Sequence, residues 1–162
     1  KGKYSISGLQ GGTGRAILAS ILVRYLDDKG ELGVSEKGWE VAKEYLKNAY
    51  VPYSNFRVAA CVQTKDQLYF GANIENASYG LSNCGERSAL FYAYSHGVRK
   101  EDIQAIYVVT TADVITTPCG ACRQVMAELM PRDAKVILAN DDEIQTYTVE
   151  GLLPHAFDAE SM

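Results

Sequence analysis

Pro118-Cys119-Gly120-Ala121-Cys122, read together with Cys84-Gly85-Glu86 upstream, holds three of the chain's four cysteines. At the start of a helix, the spacing Cys-x-x-Cys puts both sulfurs on one side of the first turn, where a tetrahedral metal can take both as thiolates. Alone, such a pair is open between metal ligands, a redox couple and small buried thiols. Cys84 adds a third thiolate, and no further cysteine or histidine stands at ligand spacing. Three protein ligands leave a fourth position open, which marks a catalytic rather than a structural zinc site. That place would hold water. Glu86 is not needed as a ligand, and it stands where a carboxylate could take a proton from that water and pass it on. His96 and His155 read as surface or packing residues. Cys61, in the apolar run Val58-Ala59-Ala60-Cys61-Val62, reads as a small core residue.

Working outward, each metal-bearing segment leads into a helical pattern. One helix starts near Cys84, carries Ala89, Leu90, Ala93 and Tyr94, and ends near Gly97; the other has Pro118 in its first turn and runs on through 123–130 to Pro131. At helix N-termini the macrodipole and free backbone N–H groups favour negative charge, so three thiolates can coexist around one zinc. Arg87 reads either as a positive partner for those thiolates or as an arginine exposed on its helix. Residues 56–63 and 68–74 read as strands joined by the turn Thr64-Lys65-Asp66-Gln67. The most apolar strand, 105–110, belongs in the sheet centre, and 135–139 and 145–149 supply two more. Hairpin, helix, strand, helix, strand predicts an α/β fold, a mixed sheet flanked by helices.

Before the hairpin, Trp39, Ala42, Tyr45, Leu46 and Ala49 share one helical face after Ser35 as a cap, while Glu40, Lys43, Glu44 and Lys47 make the solvated face; Pro52 ends the helix. Residues 1–34 open with Gly8-Leu9-Gln10-Gly11-Gly12-Thr13-Gly14 and continue into an amphipathic pattern at 18, 21, 22, 25 and 26. No Lys-Ser or Lys-Thr follows these glycines and no clear strand precedes them, so a phosphate loop is not expected. A flexible lead into an extra N-terminal helix is. Whether that helix packs on its own domain or on another subunit is open from sequence.

The 162 residues, 47% of them hydrophobic, suit one globular catalytic domain, placed at 35–162. Net charge −4 and a pI near 5.2 argue against a polynucleotide substrate, because phosphate binding needs a clustered excess of Lys and Arg. No apolar run approaches the roughly 18 residues needed to span a bilayer, and no secretory signal is evident. With three cysteines committed to metal, no pair is left for a disulfide, which points to a reducing, cytoplasmic setting. Lys1 in place of Met implies that the natural start is missing or replaced.

Cys-x-Glu followed by Pro-Cys-x-x-Cys is the zinc deaminase signature in its all-cysteine form. Together with Pro52-Tyr53-Ser54-Asn55-Phe56, Asn73-Ile74-Glu75-Asn76-Ala77-Ser78-Tyr79, Cys84-Gly85-Glu86-Arg87, Pro118 to Val125 and Leu152-Leu153-Pro154, it closely resembles the cytidine deaminases of pyrimidine salvage, from about residue 36 onward. The resemblance implies a three-layer α/β/α fold with a mixed five-stranded sheet, one Zn2+ per chain held by Cys84, Cys119 and Cys122, and Glu86 as the catalytic proton shuttle. It implies hydrolysis of cytidine or deoxycytidine to uridine or deoxyuridine with loss of ammonia. By the same likeness Asn73 and Glu75 bind the ribose, Phe56 packs against the nucleoside, and Gly85 offers its backbone to the base. Three-cysteine members are typically homotetramers with shared active sites. Tyr79 and Phe157 match positions that reach across between subunits, although an aromatic at either place also suits an ordinary core.

The family commonly has alanine where this chain has Gly85 and glycine where it has Ala59. Residues 1–34 have no counterpart in the usual short form and are expected to be dispensable for chemistry. Three rival readings exist. A deaminase of another small nucleoside, such as an aminonucleoside antibiotic, is disfavoured by the ribose pair Asn73 and Glu75. A non-catalytic zinc-stabilised binding module calls for a closed metal site without a base. A polynucleotide-editing enzyme is disfavoured by the acidic balance.

Overall fold

The computed structural model describes residues 38–159 and 162. The expected N-terminal extension at 1–34, with its helix, and the Ser35 cap therefore lie outside the described residues. Helix α1 (Gly38–Tyr45) passes into a 3-10 turn at Leu46–Asn48, followed by strand β1 (Val58–Thr64), strand β2 (Leu68–Ala72), helix α2 (Gly85–Ser95), strand β3 (Ile103–Thr110), helix α3 (Gly120–Leu129), strand β4 (Lys135–Ala139), strand β5 (Ile144–Thr148) and the single-turn helix α4 (Val149–Leu152).

The strands form one five-stranded sheet in the order β2-β1-β3-β4-β5. Only β3 and β4 run parallel, joined by the α3 crossover; the other neighbours are antiparallel, so the sheet is mixed. Alternation along β1 and β3 sends side chains to two buried faces. On one face Ala60, Val62, Ile106 and Val108 pack with Ala89, Leu90 and Ala93 of α2 and Met126 and Ala127 of α3. On the other, Cys61, Ala105, Tyr107 and Val109 pack with Ala42 and the half-buried Trp39 of α1. Helix, sheet, helix pair is the expected three-layer arrangement.

Element ends differ from the sequence reading for reasons of hydrogen bonding. Residues 56 and 57 do not join β1: Asn73 Nδ2 donates to the Phe56 carbonyl at 2.8 Å, and Val58 N donates to Asn73 Oδ1 at 2.9 Å. Those side-chain bonds take the place of the ladder. Strand β2 stops at Ala72 rather than 74, since Ile74 pairs singly with Tyr50 and Asn83 instead. Strand β3 begins two residues early, at Ile103, and β5 lies one residue early, freeing Val149 to start α4, which the sequence reading missed. Thr148 caps α4, its hydroxyl accepting from Gly151 N at 3.0 Å. Helix α3 begins at Gly120 with Cys119 as its N-cap, so Pro118 precedes the cap instead of occupying the first turn.

Register fixes where a site can form. Val58 opposes Thr110, and Ala59 opposes Ala72. The start of β1 and the ends of β2 and β3 therefore share one end of the sheet. Gly71 brings α2 onto the sheet there: a Cβ on it would lie 2.2 Å from Ala89 N and 2.7 Å from the Ser88 carbonyl carbon, so nothing larger than glycine lets the two backbones meet.

Candidate metal centre and active site

Cys84 is the N-cap of α2 and Cys119 the N-cap of α3, while Cys122 lies in the first turn of α3. The spacing Cys-x-x-Cys folds both sulfurs of α3 to its N-terminal end, and the close seating of α2 brings Cys84 to them. The three sulfurs lie within 4.8 Å of one another, with Cys84 and Cys119 at 3.9 Å. Tetrahedral zinc with Zn–S bonds of about 2.3 Å requires sulfurs about 3.8 Å apart, so these residues fit the ion. All four cysteines are free thiols, and Cys61 is fully buried on the opposite face of the sheet, apart from the cluster.

The thiols and Arg87 influence one another strongly. Cys122 bonds to Cys84, and Arg87 assists, bringing the Cys84 thiol down to about 5; the same proton sharing pushes Cys122 up. Arg87 Nη2 donates to Cys84 Sγ at 3.4 Å. Arg87 Nε is buried without a hydrogen-bond partner among the described residues. Glu86 is 5% exposed, and burial raises its carboxyl above the ordinary range, with the negative Cys84 adding to the rise. A carboxyl raised in this way holds a proton more readily than an exposed one, as a group that takes up and passes on protons must.

A cavity of about 400 Å³ opens beside Cys84 and is lined by Asn73, Glu75 and Tyr79, and by Tyr53, Ser54 and Asn83. Sequence reasoning assigned no role to those last three, although each flanks or lies inside a quoted motif. Glu75 is held by the turn before β1: Tyr53 N and Ser54 N donate to Oε2 at 2.9 and 3.2 Å, and the Ser54 hydroxyl donates to Oε1. Gly85 packs its α-carbon against β1, where an added Cβ would sit 3.0 Å from the Val58 carbonyl oxygen. Phe56 is half-buried against the core rather than lining this cavity. Tyr79 is 76% and Phe157 60% exposed, so neither is a core aromatic of this chain. Phe157 sits in the tail, its carbonyl accepting from Gln124 Nε2 at 2.7 Å.

Comparison with known proteins places these residues in context. Residues 34–139 match the family model "Cytidine and deoxycytidylate deaminase zinc-binding region". A cytidine deaminase of Halalkalibacterium halodurans is 58% identical over 118 residues, covering 72% of this chain and 88% of the relative. One from Sporosarcina psychrophila is 44% identical over 123 residues, 75% of this chain and 89% of the relative. The crystal structure of cytidine deaminase from Burkholderia pseudomallei superposes with a TM-score of 0.73 at 44% identity, covering 76% of this chain and all of that one.

Proposed function

This chain belongs to the cytidine and deoxycytidylate deaminases, and we infer from that premise that it hydrolyses cytidine and deoxycytidine to uridine and deoxyuridine, releasing ammonia, with one zinc per chain. The observation that carries the reading is the meeting of three thiols and a buried Glu86 at two helix N-termini beside a cavity of nucleoside size. Cys84, Cys119 and Cys122 would hold the zinc, whose Lewis acidity makes water a nucleophile at neutral pH. Glu86 takes a proton from the attacking water and hands it to N3 of the pyrimidine, which leaves C4 electrophilic. A C4–O bond forms. Glu86 then takes the proton of the new C4 hydroxyl and delivers it to the 4-amino group; the C4–N bond breaks as the C4 carbonyl forms, and ammonia departs. Arg87 and the two helix N-termini offset the charge of the thiolates.

Asn73 and Glu75 meet the sugar hydroxyls, Gly85 offers backbone hydrogen bonds to the base, and Phe56 packs beside the nucleoside. Support for the sugar pair is that both side chains line the cavity. The assembly is a homotetramer in which Tyr79 and Phe157 reach neighbouring sites; their exposure on the single chain supports this. Among the described residues no helix is long and apolar enough to cross a membrane. A cytoplasmic location fits three thiols kept reduced for metal.

Loss of ultraviolet absorbance on mixing with cytidine tests the reaction. Glu86→Gln is expected to keep its zinc while cutting turnover by about 10²- to 10⁴-fold, the scale of general acid–base catalysis. Near-normal turnover in that variant would remove Glu86 from the chemistry.

A further inference from the structure

Ser54 joins Glu75, which lines the cavity, to the backbone of Phe56. Its hydroxyl donates to Glu75 Oε1 and accepts from Phe56 N at 3.0 Å. Asn55 between them adopts φ +58°, a left-handed turn that asparagine tolerates, and this folds the Phe56 amide back onto Ser54. Phe56 is clamped on its other side too, where Asn73 Nδ2 binds its carbonyl.

The Glu75 carboxylate offers about four acceptor sites. Two donors, Tyr53 N and Ser54 N, sit on Oε2, and the Ser54 hydroxyl takes one site on Oε1. One acceptor site is left, on the oxygen that Ser54 orients. The same contacts hold the Glu75 carboxyl below the usual carboxylate range, with the Ser54 hydroxyl as the largest cause, so it stays ionised and ready to accept.

We propose that Ser54 is a positioning residue for sugar recognition: its hydroxyl aims Glu75 Oε1 at a single nucleoside hydroxyl and ties that carboxylate to the Phe56 backbone. The inference rests on Glu75 as the group that meets the sugar. Ser54 itself touches no reacting atom. Its effect falls on substrate binding, and only on substrates that present the hydroxyl.

The test compares cytidine with 2′,3′-dideoxycytidine, which lacks both ring hydroxyls, in zinc-loaded wild type, Ser54→Ala, Ser54→Thr and Glu75→Ala. Ser54→Ala is expected to lower kcat/KM for cytidine about tenfold, the scale of one hydrogen bond to a charged group, mainly through KM. The loss on dideoxycytidine should be at least fivefold smaller, and Ser54→Thr, which keeps a hydroxyl, should recover most of the activity on cytidine. Ser54→Gly provides a second variant without the hydroxyl and should repeat the pattern of Ser54→Ala. Equal losses on both nucleosides, or no loss on cytidine, overturn the proposal. If Glu75→Ala favours neither nucleoside, the sugar reading of Glu75 falls and takes the Ser54 role with it. If Glu75→Ala discriminates and Ser54→Ala does not, only the Ser54 role falls.

Discussion

Arg87 shows how much one side chain beside a metal centre can decide. Sequence position left it either exposed or paired, because an arginine in the first turn of a helix is common in both roles. Cys84 is its contact, and its Nε is buried. Partners outside the ligand set typically contribute 10- to 100-fold to metal affinity. Arg87→Gln should therefore raise the zinc Kd by about that factor in a chelator competition; unchanged competition would show that the guanidinium does not act through the thiolates. Cys84, Cys119, Cys122 and Glu86 were legible because their chemistry is written in residue type and spacing. The second use of Asn73 and Glu75, as clamps on the turn at residues 53–58, was not. Those bonds depend on backbone atoms fifteen or more positions away, which no local pattern encodes.

Elements were legible where both faces of a strand are apolar or where a helix has a clear stripe, and less so at their ends. Strand β3 announced itself by an unbroken apolar run, whereas β1 starts later than it looks because Asn73 side-chain bonds replace the ladder, and β2 ends earlier because Ile74 pairs singly with Tyr50 and Asn83. The short α4 has four residues and too little periodicity to read. Helix α2 depends on Gly71 for its seat. Gly71→Ala would force backbone atoms apart by several tenths of an ångström or more, and is expected to cost about 2–4 kcal/mol, read as a lower midpoint in chemical denaturation together with weaker zinc retention. The opposite face of the sheet carries a pH dependence. Burial raises the Tyr107 phenol to about 12 and raises the neighbouring Cys61 thiol further still. Both are acids favoured in their neutral form when folded, so their contribution is complete below the unfolded values and fades as pH rises. Stability should fall progressively above about pH 9 as unfolded Cys61 ionises, more steeply above pH 10 when unfolded Tyr107 follows. Denaturation midpoints from pH 8 to 12 would check this; a flat profile contradicts it.

At the scale of the whole molecule, the sequence carried the three-layer plan because hydrophobic period and element order constrain layer packing strongly. Assembly depends on surfaces rather than on local pattern and is written less plainly. Tyr50, Tyr53, Tyr79, Leu81, Phe91 and Tyr92 are all about half exposed or more, which suits a chain whose neighbours cover them. A protein starting at residue 35 is expected to sediment near four times its own chain mass and to retain cytidine turnover within about twofold of the full chain; a monomer, or loss of turnover in a folded, zinc-loaded sample, would contradict the assembly or the dispensability of residues 1–34. The cysteine arrangement has a further consequence in polymer terms. Cys84 and Cys119 stand 35 residues apart, each at the N-terminus of its own helix. An ion bonded to both fastens a long loop, and on the chain-entropy scale used for disulfides a closure of that length is worth about 4 kcal/mol wherever the bonds survive in the denatured chain. The atom that equips the pocket for chemistry is thereby also a cross-link between two helices far apart in sequence, so zinc starvation would expose the enzyme to proteolysis as well as silence it.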